Sequence, residues 1–518
     1  LALPTLTELV GAHGFIANDL DTTGYVALIS AFQKVYFADS AKYWKLDMVG
    51  TRITSSVNPT ALGTPWAQGD LCAQAGGGTG VFDEVYTHNS TYEIFVYRTN
   101  TTQFAVGTDI TVAGKTTLEH AYISAVNVPP YWLPWVEKTG YEGLISDANN
   151  SGSDIGCLYS GRIVLNSVKS PHQWYMSRQG DPLDWLVDQD DVGTAISSQS
   201  SQYGKIGDIV TALISYLDHY LIFGCSGEIW VMRGDPSAGG QLTNLSSSVG
   251  VFSPQSWCWD DKGNLYFMAL DGLYVLPAGA VVNNTPPENL TDDRIPKAIK
   301  DMGLNRRTDR VILGYDKKRQ GIVITAVQAD GAWSANMWFD LGTKGLFPEE
   351  YNAEGIPASM FRYNNRKAGV RHLLVGGQDG YIRKFDEGTK GDETTASTEE
   401  TQVLDTIESH VTLAPISVSE EPRGQSKLKE ISIQTGTDTD SLSYELHTAE
   451  TAQELLENIE ASATPLKEDD LSGDGRYASI RDKAGGAVIG LKLKNTAASE
   501  SWNLEKVNIK ISKKGRIK

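Results

Sequence analysis

The chain has 518 residues, with 45 Lys plus Arg against 64 Asp plus Glu, for a formal charge of −19. That length exceeds one compact core, and 40% hydrophobic with 21% charged residues excludes a disordered chain. The negative excess opposes tight binding of a nucleic-acid backbone, and no apolar run reaches the roughly 20 residues that span a bilayer, so no membrane insertion is expected.

The 51 Gly, 22 Tyr and 12 Trp favour strands and tight turns. Residues 1–56 hold the first propeller blade elements, with a hairpin from 35–38 into 43–46. Residues 57–131 read as an inserted small β-domain with strands at 81–86, 92–97 and 117–126, because a structureless loop of that length is improbable. Its ends join one hairpin to the next, so its removal is expected to leave the propeller able to fold. Pro129, Pro130 and Pro134 stiffen the return. Residues 132–386 form a β-propeller-like core, with hairpins at 162–165 with 173–176, 221–224 with 229–232, 265–268 with 273–276, and 372–375 with 381–385. Further strands fall at 311–314, 322–326 and 337–341. From Ile222 the hairpins recur about every 45–55 residues, one four-stranded blade per repeat, which predicts six or seven blades; a β-sandwich of unrelated hairpins is the alternative.

Residues 387–401 read as an exposed acidic linker rich in Thr, Glu and Gly. Residues 402–518 form a C-terminal β-domain with strands at 430–434, 442–446, 487–493 and 507–511 and one helix at 451–461. It ends in a basic tail, Lys513, Lys514, Arg516 and Lys518, suited to docking an acidic neighbour. The expected fold class is all-β, a β-propeller-like core with an inserted small β-domain and a C-terminal β-domain.

Catalytic signals are weak. Cys72, Cys157, Cys225 and Cys258 lack the spacing of a zinc site and read as buried free thiols. The eight His residues include no HExxH. In the loop-like run from Asp109 to Thr116, a carboxylate stands where a phosphate loop needs its first glycine. Gly224-Cys225-Ser226-Gly227 has the wrong spacing for a nucleophile elbow and reads as a hairpin turn. Asp188, Asp190 and Asp191, like Asp260 and Asp261, read as solvated loop acids rather than a Ca²⁺ site or a glycosidase pair. No enzyme activity, cofactor or metal is expected.

One stretch is more specific. Ser177-Arg178-Gln179-Gly180-Asp181-Pro182-Leu183-Asp184-Trp185 is followed by Arg233-Gly234-Asp235-Pro236 and Gly239-Gly240. This order resembles tailed-bacteriophage structural proteins with a β-propeller-like core, the packaged-DNA-stabilisation and tail-nozzle (head-to-tail hub) proteins of short-tailed phages. The resemblance covers about residues 32–385. It implies a virion protein of the phage tail, assembled in the bacterial host cytoplasm as a homo-oligomeric, hexameric ring. Such a ring would contact other tail, adaptor or portal-proximal proteins and take part in genome retention and ejection, with transient non-specific passage of phage DNA and no catalysis. Arg178 and Asp181, with Arg233 and Asp235, place opposite charges beside glycine–proline turns, where they are expected to fix loops through side-chain-to-backbone bonds. The alternatives are a receptor- or glycan-binding propeller adhesin and a propeller hydrolase.

Overall fold

The computed structural model describes residues 24–513 except 41, 48–49, 89, 128–130, 136–151, 188–190, 199–204, 293–298, 300–301, 329–333, 365–370, 386–391, 394–403, 407, 418–425, 438, 472–476, 482–484 and 498–499. The chain is all-β and divides into two compact units, Leu1–Val311 and Ile312–Lys518.

The first unit holds four antiparallel four-stranded sheets. Strands β1 (Ala27–Ala31), β2 (Lys34–Ala38) and β3 (Tyr43–Asp47) form the first. Between β3 and its fourth strand the chain makes a six-stranded sheet of its own from β4 (Gly50–Ser55), β5 (Leu71–Gln74), β6 (Thr79–His88), β7 (Thr91–Arg98), β8 (Ile110–Val112) and β9 (Ile123–Asn127). It then returns as β10 (Tyr131–Pro134), which pairs with β3. The next three sheets are β11–β14 (Gly156–Tyr159, Arg162–Asn166, Trp174–Met176, Ile196–Ser197), β15–β18 (Val210–Tyr216, Tyr220–Cys225, Ile229–Arg233, Gln241–Ser246) and β19–β22 (Trp257–Trp259, Leu265–Met268, Leu273–Leu276, Glu288–Asn289).

Successive sheets share cores, as propeller blades do. Ile29 and Tyr36 of the first pack with Ile163 and Leu165 of the second. Trp174 and Met176 of the second pack with Leu213 and Phe223 of the third, and Ile222 and Val231 of the third with Phe267 and Leu276 of the fourth. A blade between two others is buried on both faces, which explains why β12, in the second blade, is buried at every position. Each such Leu, Ile or Phe contributes about 1.5–3 kcal/mol.

The second unit carries a four-stranded sheet, Asp309–Asp316, Gly321–Gln328, Ser334–Asp340 and Gly345–Glu349, whose first strand runs across the division. A three-stranded sheet follows, Pro357–Asn364, Arg371–Gly377 and Ile382–Lys384, and shares Val323, Trp338 and Leu373 with it. The C-terminal domain places two sheets on one core of Leu428, Ile431 and Ile433 with Leu446, Ile489 and Leu491. Its helix Ala452–Glu460 is capped by Thr451, whose hydroxyl accepts from the Glu454 amide at 3.2 Å.

The hairpins fall where the alternation places them: Phe37 pairs with Trp44, Phe223 with Trp230, and Phe267 with Tyr274. Two boundaries differ from the sequence reading. The inserted sheet begins at Gly50 rather than residue 57, because Arg52 of β4 pairs with Phe95 and Asn127 and not with the first blade. The 387–401 linker contains a short strand, Asp392–Glu393, paired with Leu404–Asp405. In the basic tail Lys513 ends the last strand, Leu504–Lys513; Lys514, Arg516 and Lys518 lie outside the described residues.

Candidate functional site

The first motif leaves β13 as a loop pinned at nearly every residue. The Ser177 amide donates to Ile163 O at 2.9 Å, and its hydroxyl accepts from the Ile163 amide at 3.0 Å, extending the ladder between β12 and β13. Gly180 sits at φ +79°, in the left-handed region that disfavours side chains, and donates to Gly161 O at 2.8 Å. The Asp181 carboxylate caps the turn by accepting from the Leu183 amide at 2.9 Å. Pro182 O then receives two indole N–H groups, from Trp135 at 2.9 Å and Trp185 at 3.0 Å. Both indoles are buried, and Trp135 follows β10 of the first blade. The motif therefore fastens the second blade to the first.

The second motif does the same one blade further on. Asp235 caps the short turn Pro236–Ala238 through the Ser237 amide at 3.0 Å. Gly234 takes φ +76°, and a Cβ on Gly240 would lie 2.6 Å from Gly234 O, so only glycine closes this loop. Arg233 reaches Val281 O at 2.9 Å, in the fourth blade.

The ion pairs of Arg178 and Asp235 reach beyond these four charges. Arg178 pairs with Asp184 at 3.6 Å and with Asp191, not with Asp181. Asp235 is paired by Arg162 at 3.1 Å rather than by Arg233. Arg162 is fully buried and joins the two motifs: its guanidinium also donates to Ser177 O at 3.0 Å, Thr194 O at 2.5 Å and the Ser237 hydroxyl at 2.9 Å. It went unrecognised in the sequence because its partners lie far along the chain.

Beside the first motif lies a cavity of about 650 Å³, walled by the β1–β2 turn (Phe32, Gln33), Lys34, Tyr36 and Lys45 of the first blade. Gln68, Val81, Asp83, Tyr97 and Arg98 of the insert complete it with Gly180 to Leu183 of the motif loop. Its volume suits a small ligand. Phe32 and Gln33 adopt φ 49° and 61°, the geometry of a tight hairpin turn that favours Gly and Asn. Holding such residues there costs of order 1–3 kcal/mol each, which the surrounding wall must offset.

The wall is electrostatically committed. Lys34, 5% exposed, meets Asp83 at 2.6 Å and Glu84 at 3.4 Å; Lys45, 1% exposed, bonds to Glu84 and to the Tyr86 hydroxyl. Their ammonium groups lie 5.1 Å from the Tyr97 ring centroid and 4.8 Å from that of Tyr86. Burial pushes the Glu84 carboxyl up, but Lys45 and Lys34 outweigh it and hold the group down to about 2. Burial alone would pull Lys34 down, and the carboxylates of Glu84 and Asp83 keep it well above its ordinary value. The blade and the insert thus meet through charges that neither could bury alone. Deleting the insert, 50–127, is accordingly expected to unfold the first blade, contrary to the sequence expectation, unless Lys34 and Lys45 are also replaced by Leu. Protease resistance of the two deletion variants checks this; equal resistance would show that the lysines do not matter.

The remaining sequence candidates resolve into structure. Asp260 is buried, not solvated: it accepts from the Lys262 and Asn264 amides at 2.8 and 2.9 Å and forms a turn. Asp109 bonds the His120 amide at 2.7 Å, and Asp188 and Asp190 lie outside the described residues. The four cysteines are free, and burial raises their thiols, those of Cys72 and Cys157 to about 12. Among the described residues no three His, Cys, Asp or Glu side chains are grouped to hold a metal, and no helix is long and apolar enough to cross a membrane.

No family model and no curated protein sequence matches the chain. Solved structures do. Kluyveromyces lactis Hsv2 is 8% identical, covering 62% of this chain and 97% of its own, with a TM-score of 0.23. A quinonprotein alcohol dehydrogenase-like protein from Bacteroides thetaiotaomicron is 7% identical over 64% of this chain and 69% of its own, with a TM-score of 0.26. PorZ of Porphyromonas gingivalis, a surface component of the type-IX secretion system, is 12% identical over 72% and 46%, with a TM-score of 0.22. The propeller-like class rests on the chain's own sheet order and shared cores.

Proposed function

We propose that the chain is a structural protein of a bacteriophage tail, a nozzle or hub that closes into a homo-oligomeric ring, with six copies expected, and lines part of the path for genome retention and ejection. The observation that carries this reading is the use made of the two motifs. Arg162, Asp235, Ser177 and the paired indoles on Pro182 O spend their hydrogen bonds on fastening adjacent blades. A motif built as a fastener fits an assembly part that must hold its shape under load. The net charge of −19 is consistent with a passage to which DNA phosphates do not adhere. Adaptor and portal-proximal proteins are the expected neighbours, and the virion the expected location.

Light scattering of the purified chain, with projection images of the same sample, tests this. A closed ring with an axial opening is expected. A chain that stays monomeric at every concentration would overturn the reading, as would a lumen lined mainly by Lys and Arg.

A further inference from the structure

The C-terminal domain is polarised in charge along the direction in which its layers stack. The helix Ala452–Glu460 lies on the strand Val488–Asn495 at Gly490, where a Cβ would stand 3.0 Å from Ile459 and 3.4 Å from Leu455. Ile489 and Leu491, on either side of Gly490, belong to the core between the two sheets, so the helix covers the outer face of its sheet. Glu450, Glu454, Glu457 and Glu460 are all exposed there, beside Leu456 at 42% exposure. No Lys or Arg occurs between residues 449 and 466 to offset them.

The second sheet lies on the other side of that core. On the strand Ser426–Thr435, Ile431 and Ile433 are buried in it, so alternation turns Glu430, Ser432 and Gln434 outward. Their cross-strand partners complete the outer face: Lys510 beside Glu430, Asn508 and Ser479 beside Ser432, Lys506 and Tyr477 beside Gln434. Arg481 and Lys510 share Glu430, at 3.6 and 2.6 Å, and Glu505 accepts from the Gln434 side-chain amide at 2.8 Å. With Lys429 exposed on the same sheet, the cations outnumber the carboxylates, and Tyr477 stands among them at 72% exposure.

The two faces cannot neutralise one another inside the domain. Two sheets about 10 Å apart and a helix about 10 Å across separate them by roughly 20 Å, more than twice the Debye length of about 8 Å at physiological salt. Each face finds its opposite charge on the other face of an identical chain. Because the faces point opposite ways, that contact is head-to-tail, the kind that closes into a ring when its rotation allows.

We propose that the C-terminal domain of one copy docks through its acidic helix on the basic sheet face of the next copy, Glu457 and Glu460 meeting Lys506 and Lys510, with Leu456 and Tyr477 as apolar anchors. This rests on the ring reading and names the surfaces through which its copies join.

Sedimentation velocity of the full chain tests it. The parent is expected to associate, and to do so less as NaCl rises from about 50 to about 300 mM. Lys506→Glu with Lys510→Glu, and separately Glu457→Lys with Glu460→Lys, are each expected to weaken association about tenfold or more. All four positions are exposed, and lysines suit the last turn of a helix, so both variants should keep their fold. An equimolar mixture of the two should recover association, because every junction again sets acid against base; a variant that had lost its fold could not be rescued in this way. Association of either variant at the parent's strength overturns the docking and leaves the ring standing, as does a mixture that fails to recover. A parent that is monomeric at every concentration overturns both.

Discussion

Replacing Arg162 by Ala is expected to lower stability by about 3–5 kcal/mol, the penalty for leaving a buried charge and its acceptors without their partner. The side chain is fully buried and carries a guanidinium whose donors reach Asp235, Ser237 and the carbonyls of Ser177 and Thr194. Its removal strands the Asp235 carboxylate and several acceptors at once. Arg162→Lys should recover only a small part of the loss, because one ammonium cannot reproduce a planar fork that serves both motif loops. Urea titration monitored by tryptophan fluorescence measures this well, since Trp174 and Trp185 lie in the cores beside it. A double-mutant cycle with Asp235→Asn should show strong coupling. A loss below about 1 kcal/mol would sink the claim that Arg162 is the shared fastener of the two motifs.

Glu84→Gln is expected to cost a similar amount, about 3–5 kcal/mol, and to change how stability depends on pH. Lys45 is 1% exposed, and Glu84 supplies its counter-charge. The Glu84 carboxyl lies at about 2 in the folded protein against an ordinary 4.5. A depressed carboxyl contributes stability that is complete above about 4.5 and is lost as pH falls through about 2. The parent protein should therefore lose stability steeply across that window, and the Gln variant should lose less across the same range. Parallel acid-unfolding curves for the two proteins, differing only by a constant offset, would refute the assignment of that window to Glu84.

Much of the fold was legible because the hairpins carry local signals. Leu265-Tyr266-Phe267-Met268 and Leu273-Tyr274-Val275-Leu276 flank Asp271-Gly272, and apolar runs of this length on either side of a turn pair leave few other structures. The strand from Lys34 to Ala38 shows where this reasoning fails. Alternation places Val35 and Phe37 in the core and Lys34 and Tyr36 in water, yet Lys34, Tyr36 and Ala38 are the buried positions. The reason is non-local: on that side the insert supplies Asp83 and Glu84, and the lysine is buried because its counter-charges arrive from residues far along the chain. The cavity was hidden for the same reason. Gln33, Arg98 and Asp181 belong to three segments with no shared sequence pattern, and those segments meet only in the folded chain.

That return also fixes an order of events during synthesis. Tyr131 of β10 lies opposite Asp47 of β3, so when β3 leaves the ribosome its partner has not yet been made. The first blade waits with an unpaired edge until the whole insert has emerged, and a long-range pairing of this kind closes slowly. The insert's own ladder, such as Ile53 with Ile94, can form before then. A nascent chain arrested after β9 would carry a finished insert beside an open edge, and open edges recruit other chains. The interval between completion of the insert and arrival of residue 131 is thus when crowding of nascent copies matters most, and slower translation through that stretch should lengthen the exposure.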